Sequence, residues 1–158
     1  MPAGDIIAAS DFDRPKVRLV QQSGGTQTIN TTDTTLTFGT GSTVTDTHNW
    51  HDESTNNSRV TVDRAGYIQI TGSIVVAANT TVTALMLSCF KNGGVQSGIA
   101  RGKPSANNLS HEAGRTWTLE CAAGDYFELV ASTAGASVSS LSSGRFASTF
   151  EVEYRGSS

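Results

Sequence analysis

Apolar and polar residues alternate with a period of two through most of the chain, and the alternating segments are short. The clearest example is residues 59–76, where valines alternate with polar neighbours until a turn sequence ends the first segment. Gly66 closes that turn, because glycine adopts backbone angles that side chains disfavour. From Tyr67 the segment resumes with aromatic and β-branched residues, and Gly72 interrupts it as expected of a bulge or bend. The pattern predicts two strands joined by a tight corner.

The same period recurs along the chain without a helical stretch of any length. The predicted strands are residues 16–22, 26–30, 34–40, 59–62, 67–76, 81–91, 95–103, 115–121, 126–132 and 146–155, with a further short candidate at 42–47. Polar loops are predicted at 49–58, 104–114 and 133–144. Asn92-Gly93 predicts a tight hairpin turn, because this pair favours the turn types that match strand twist. About ten short strands at this spacing predict an all-β sandwich or barrel.

Residues 1–15 do not join this pattern and predict an extended N-terminal arm. They combine small residues, a short apolar patch and three aspartates, and Pro15 ends them. We therefore divide the chain into an attachment arm at 1–15 and one β-domain at 16–158. The residues that we expect to bind the arm to a neighbouring protein are Asp5, Ile6, Ile7, Asp11 and Phe12.

The composition narrows the classes of function. Charged residues make up 16% of the chain and the net charge is −3, so no basic surface for nucleic acid is expected. The first residues lack the basic flank and long apolar core of a secretion signal, and no run has the length of a membrane span. We expect a protein that is made in a cytoplasm, does not enter a membrane and presents a surface rich in Ser, Thr and Gly.

The cysteines and the histidines are the residues best suited to react or to bind a metal ion. Cys89 and Cys121 lie within apolar strand patterns and predict two buried free thiols, with a disulfide between neighbouring strands as the alternative. Two histidines and two acids lie close together in the sequence, at His48, His51, Asp52 and Glu53. Because that cluster lies in a polar loop where such side chains are solvated, we predict no metal, although one histidine per chain meeting on a symmetry axis is the alternative. No serine-nucleophile motif is present, so we predict neither enzymatic activity nor a cofactor.

The two tryptophans carry different expectations. Trp117 alternates with polar residues within a predicted strand, so we place it in the core. Trp50 lies in the predicted polar loop, where core packing and stacking on a sugar are equally favoured. Trp50 and His51 are therefore candidate glycan contacts.

Four motifs, taken in order, carry a family resemblance. They are VTVDRAGYIQITGSIVV at 60–76, FKNG at 90–93, WTL at 117–119 followed by AGD at 123–125 and Phe127, and STFEV at 148–152. Together they resemble the tumour-necrosis-factor-like jelly rolls, which include the globular heads of complement and of short-chain collagens, over residues 16–156. The resemblance implies an antiparallel jelly-roll sandwich of about ten strands that packs as a compact homotrimer. It also implies that Tyr67 lies near the three-fold axis, with Phe127 and Phe150 as its companions.

The pattern of residues 81–91 adds an argument for a trimer. Met86 and Phe90 have the opposite parity to the other apolar residues of this segment, so both faces of the strand are apolar. A single sandwich has only one inner face to fill, and a second cover is needed. The predicted trimer interface therefore consists of Tyr67, Met86, Phe90, Phe127 and Phe150.

The arm provides the functional hypothesis. Residues 4–11, GDIIAASD, resemble the opening of many bacteriophage virion proteins. This resemblance implies a phage structural protein on the virion surface, either a trimeric capsid decoration or a tail or fibre module, bound by its arm to a major capsid or tail protein. The alternative is a receptor-binding module that recognises a host-surface glycan through Trp50, His51 and the loops at 104–114 and 133–144.

Overall fold

The computed structural model describes residues 14–22, 25–96, 99–102, 110–142 and 147–157. Within these ranges the chain forms thirteen β-strands and no helix, so no helix there has the length and apolar character to cross a membrane. The strands are β1 (Lys16–Val20), β2 (Thr28–Ile29), β3 (Thr34–Thr35), β4 (Thr43–Asp46), β5 (Arg59–Thr61), β6 (Gly66–Val76), β7 (Ala84–Lys91), β8 (Gly94–Val95), β9 (Ala100–Gly102), β10 (His111–Cys121), β11 (Tyr126–Ala134), β12 (Val138–Ser139) and β13 (Thr149–Gly156).

Two antiparallel sheets contain most of these strands. The five-stranded sheet has the order β10-β6-β13-β1-β4. The six-stranded sheet follows β3-β11-β7-β8, with β5 also paired to β11 and β9 to β7, and β12 pairs separately with β2. Strands from the two ends of the domain are neighbours, since β1 pairs with β13 along its whole length. This all-β arrangement of antiparallel sheets is the one that the alternating pattern predicted.

The two sheets enclose one hydrophobic core between their inner faces. In β6 the even positions Ile68, Ile70 and Ile74 are fully buried, whereas Tyr67 and Thr71 are exposed. A strand whose side chains alternate between core and solvent produces this period of two. In β10 the predicted alternation is confirmed as well, because Trp117 and Cys121 are buried and the intervening Thr118 and Glu120 are exposed. The buried positions of β6 and β10 are therefore the ones that the sequence pattern predicted.

Gly72 does not form the predicted bulge. It pairs in continuous register with Arg115 on one side and Phe150 on the other. The reason for a glycine is instead the distance between the sheets: a Cβ at position 72 would lie 2.7 Å from a methyl carbon of Leu129. Gly66, by contrast, has the expected unusual backbone, with a φ of 145°.

Several strand limits differ from the predicted ones. The strand predicted at 81–91 begins only at Ala84. The loop predicted at 104–114 ends earlier, because His111 already pairs with Val76 and opens β10. The loop predicted at 133–144 contains the end of β11 and all of β12. In each case pairing with a distant strand, which local sequence does not encode, sets the limit.

The arm has its boundary at the beginning of the five-stranded sheet. The carbonyl of Pro15 accepts a hydrogen bond from the Tyr154 N–H at 2.8 Å, so Pro15 already contributes to the sheet. Residues 1–13 lie outside the described part of the chain. The predicted attachment residues Asp5, Ile6, Ile7, Asp11 and Phe12 are therefore outside it as well.

Candidate functional site

The five residues of the predicted trimer interface do not share one surface. Phe127 and Phe150 have no exposed area in the single chain, because both occupy inward positions of their strands. The Phe150 ring lies against that of Phe38, with 5.9 Å between the ring centroids. The prediction that Phe127 and Phe150 contact a partner chain is corrected accordingly: they fill the core of their own chain.

Tyr67 lies on the outer face of the five-stranded sheet and is 43% exposed. On β10 its direct cross-strand neighbour is Glu120. The same face carries two hydroxyl pairs, one between Thr71 and Thr116 at 3.1 Å and one between Ser73 and Thr149 at 2.8 Å. The surroundings of Tyr67 are thus polar, and the apolar axis expected there is replaced by a face of hydroxyl groups.

Met86 and Phe90 lie on the outer face of the other sheet. Both are half-buried, and Phe90 pairs across to Val95, which is 58% exposed. Ile99, just before β9, is 43% exposed. Two packed sheets are about 10 Å apart, and these residues point away from the core on the side opposite Tyr67. The residues predicted for one interface are therefore divided between the outer faces of two sheets, and the predicted single interface stays a prediction.

Trp50 is a core residue although it lies in a loop. Only 3% of it is exposed. Its indole N–H makes no well-aligned hydrogen bond with the described residues. The Arg64 side chain, and to a smaller extent this N–H, lower the pKa of Asp63. Stacking on a sugar requires an open ring face. The prediction that Trp50 contacts a glycan is therefore wrong.

His51 closes the same loop through its ring. Nδ1 lies 2.8 Å from the carbonyl oxygen of Arg59, and Nε2 lies 2.9 Å from that of Phe38. The backbone N–H of His51 also donates to the carboxylate of Asp46 at 2.9 Å. Each ring nitrogen thus faces a backbone carbonyl oxygen inside the loop, and a neutral ring donates to one of the two whereas a protonated ring donates to both. The prediction of His51 as a glycan contact is corrected for that reason.

The acids of the predicted ligand cluster also accept hydrogen bonds from backbone N–H groups. Asp52 accepts hydrogen bonds from Ser54, through its hydroxyl and its N–H, and from the Thr55 N–H, which lower the pKa of Asp52 to about 2. Glu53 accepts from the N–H groups of Thr43 and Gly41, both at 2.8 Å, and these bonds lower the pKa of Glu53. Across the part of the chain that the structure describes, no three His, Cys, Asp or Glu side chains gather as metal ligands would. The cluster is a hydrogen-bonded loop scaffold.

Both cysteines are buried free thiols, as one of the two alternatives predicted. Burial raises the pKa of Cys89 to about 12. Burial and the neighbouring Asp125 charge raise the pKa of Cys121. A thiol with a raised pKa is a poor nucleophile, so these residues serve packing.

A polar cleft that the sequence did not reveal opens beside this loop scaffold. It has a volume of about 390 Å³. Among the described residues the lining contains neither a charged nor an aromatic side chain and consists of Gln21, Gln22, Gly25, Thr26, Thr37, Gly39, Thr40, Ser42 and Asn57. The cleft lies where the segment after β1 meets the segment before β4. The sequence signal for the cleft is weak. It consists of two glutamines that directly follow an alternating strand, a place where polar residues are ordinary.

Of the comparisons with known proteins, the one with solved structures identifies the fold. No protein-family model matches the chain, and no match was found among curated proteins. Among solved structures, the globular domain of the zebrafish complement 1qA protein is similar with a TM-score of 0.66 and 9% identity, covering 92% of this chain and 100% of that one. Murine APRIL at pH 8.0 is similar with a TM-score of 0.61 and 10% identity, covering 90% and 99%. The chain therefore has the jelly-roll fold of the tumour-necrosis-factor-like and complement globular domains, as the sequence motifs implied.

Proposed function

We propose that the protein is a non-enzymatic structural module on the surface of a bacteriophage particle and works as a homotrimer. In this proposal the five-stranded sheet of each chain faces the three-fold axis, and the arm at residues 1–15 binds a major capsid or tail protein. The observation that carries the proposal is the exposed Tyr67 on the outer face of that sheet, within a jelly roll of the tumour-necrosis-factor-like type. The resemblance of residues 4–11 to the openings of phage virion proteins supports the location.

The polar character of the face around Tyr67 is compatible with an interface. Interfaces between proteins are on the whole no more apolar than other surface, and tyrosine is enriched at the residues that dominate binding. The Thr71–Thr116 hydroxyl pair places donors and acceptors on the same face of the sheet, four residues along β6 from Tyr67. Further from Tyr67, Arg18 and Glu151 form an exposed ion pair at 3.8 Å, which suits the rim of an interface. A ring of three copies closes on itself and leaves no free interface, which avoids fibres.

The non-enzymatic part of the proposal is supported by the contacts of four of the described acids. Glu128, which is 8% exposed, accepts hydrogen bonds from Ser58 at 2.8 Å and from Arg59 at 3.0 Å. The carboxylates of Asp46, Asp52 and Glu53 hold backbone N–H groups. These acids therefore serve the fold, in contrast to catalytic acids, which need contact with a substrate.

Light scattering behind a sizing column tests the proposal. The wild type should elute with about three times the chain mass. Tyr67→Asp should give monomers or insoluble material, because it places a charge without a partner in the interface. Val95→Asp is the matched control: it introduces the same charge at an exposed apolar residue on the opposite sheet and should leave the mass unchanged. A wild-type mass of one chain contradicts the homotrimer, and the reverse result for the two variants moves the interface to the six-stranded sheet.

The second candidate function, recognition of a host glycan through Trp50 and His51, loses its geometric basis. Trp50 is in the core, and both ring nitrogens of His51 face backbone carbonyl oxygens inside the loop. Loop residues 104–109 and 143–144, which that hypothesis also used, lie outside the described part of the chain.

A further inference from the structure

The polar cleft beside the 49–58 loop contains a buried side-chain amide oxygen without a hydrogen-bond partner. Gln21 lines the cleft and is only 4% exposed. Its Oε1 atom is buried and accepts no hydrogen bond from the described residues. Leaving a buried amide unsatisfied is costly, because it has lost water without gaining a replacement. A buried amide oxygen in this state, on a residue that lines an open cleft, indicates a ligand that donates the missing hydrogen bond.

The backbone around Gln21 is fixed, so the cleft is formed before any ligand arrives. The Gln21 N–H donates to the Ser148 carbonyl at 2.9 Å, and the preceding Val20 N–H donates to the Ser42 carbonyl at 2.8 Å. On the opposite wall the Ser42 N–H donates to the Gly39 carbonyl at 2.9 Å. Two bonds from the neighbouring backbone to Glu53, at 2.8 Å each, hold that wall in place. A fixed backbone means that little conformational freedom is lost when a ligand binds.

The chemistry of the lining defines the class of ligand. Beyond Gln21 the residues that line the cleft include three that carry hydroxyl groups, Thr26, Thr40 and Ser42, and Asn57, which carries an amide. None of these groups is charged, so an ionic ligand would lose its hydration without gaining a counter-charge. A ligand hydroxyl both donates and accepts, which matches the carbonyl oxygen and the amide N–H groups of a glutamine side chain. A ligand hydroxyl that donates to Oε1 would satisfy the buried oxygen of the Gln21 amide.

We propose that this cleft binds a neutral saccharide unit, with Gln21 as the residue that recognises its hydroxyl groups. The volume of about 390 Å³ falls within the range of small-ligand pockets and accommodates a monosaccharide unit. The proposal goes beyond the structural role proposed above and does not depend on the homotrimer or on a virion. It also replaces Trp50 and His51 by a different set of residues.

Nuclear magnetic resonance of the full-length ¹⁵N-labelled protein tests the assignment. The probes are glucose, galactose, mannose and N-acetylglucosamine, with glucuronate as the charged counterpart and tetraglycine as a peptide. We expect a saturable shift of the Gln21 side-chain amide signals with at least one neutral sugar and none with glucuronate. Gln21→Met keeps the size of the side chain but removes the amide, and it should weaken binding about tenfold or more, as expected for a lost hydrogen-bonded contact.

Two further variants make the outcome decisive. Gln96→Met is the matched control, because its amide lies outside the cleft and donates to the Gly94 carbonyl at 3.1 Å, so its affinity should equal that of the wild type. Thr40→Val, at an exposed lining residue, should also weaken binding and serves as the test if Gln21→Met does not fold. The proposal is overturned by the absence of a saturable shift with every neutral sugar, by equal affinity in the cleft variants, or by saturation with glucuronate. Saturation with tetraglycine alone would overturn it in favour of a peptide site.

Discussion

The side-chain amide of Asn92 donates a hydrogen bond of 2.7 Å to the carboxylate of Asp125 and so joins two turns that are 33 residues apart. The other carboxylate oxygen of Asp125 receives the Lys91 ammonium at 2.8 Å and the Ala122 N–H at 2.8 Å. The side-chain oxygen Oδ1 of Asn92 accepts from the Tyr126 N–H at 3.0 Å. The two turns are the FKNG and AGD motifs on which the family resemblance was based. Those motifs are therefore partners in one structural clamp.

The clamp should make the stability of the protein depend on acid. Burial opposes ionisation of Asp125, but the Ala122 N–H, Lys91 and Asn92 outweigh it and lower the pKa of Asp125 to about 2 from 3.8. A lowered folded-state pKa gives stability that is fully present above pH 4 and is lost as the pH falls towards 2. We expect the wild type to lose about 2 kcal/mol of unfolding free energy in this window through Asp125.

Asp125→Asn should be less stable than the wild type at pH 7 and should lack that part of the acid dependence. Urea unfolding at a series of pH values between 2 and 7 measures both effects. Asp33→Asn, at an exposed aspartate outside the clamp, is the control and should follow the wild-type curve. Parallel curves for Asp125→Asn and the wild type would show that the clamp does not carry the acid dependence.

The sequence predicted which side chains of a strand point to the same face better than it predicted what those side chains contact. Alternation identified the buried positions of β10, and the Asn92-Gly93 pair predicted the turn in which both residues have positive φ, 51° and 79°. Parity alone does not state which of two sheets a strand joins. Tyr67 and Phe90 were therefore assigned to one interface although they belong to opposite faces. That assignment depends on pairing between distant strands, which a local pattern does not contain.

The loop at 49–58 shows the second limit of the sequence pattern. Its polar composition correctly predicted a loop, but Trp50 packs into the core, because contacts from several distant segments cover it. The polar cleft was missed for the same reason, since Gln21 and Asn57 meet only in the folded chain. Residues that come together through tertiary contacts carry no common periodicity along the sequence.

Gly72→Ala should destabilise the domain by overpacking. The added methyl group would lie 2.7 and 2.8 Å from the two methyl carbons of Leu129, which belongs to the opposite sheet. We expect a loss of about 1–3 kcal/mol in unfolding free energy, measured by urea denaturation. Gly114→Ala is the control on the neighbouring strand, where the nearest atom would be at 3.4 Å. Combining Gly72→Ala with Leu129→Val should restore part of the loss, and a double variant no better than Gly72→Ala would contradict a steric cause.

Trp50→Ala should act on stability and not on a binding surface. The side chain is 3% exposed and belongs to the core cluster, so its removal leaves a large cavity. Truncation of a buried tryptophan costs about 3–5 kcal/mol, which urea denaturation would measure. Val44→Ala truncates an apolar residue that is 52% exposed and should change stability little. Equal stability of Trp50→Ala and the wild type would show that Trp50 does not contribute to the core.

Deletion of residues 1–14 should leave the domain folded and abolish its attachment to particles. The described hydrogen bonds of the five-stranded sheet begin at the Pro15 carbonyl, so the deletion leaves every pair between β1 and β13 intact. Burial of Ile6 and Ile7 on the particle would contribute about 1.5–3 kcal/mol for each side chain. Thermal denaturation of the truncated protein and cosedimentation with particles that lack the wild-type protein measure the two effects. Ile6→Ser combined with Ile7→Ser keeps the length of the arm and should also prevent cosedimentation. An unfolded truncated protein would place the arm in the core, and undiminished cosedimentation would place attachment on the β-domain.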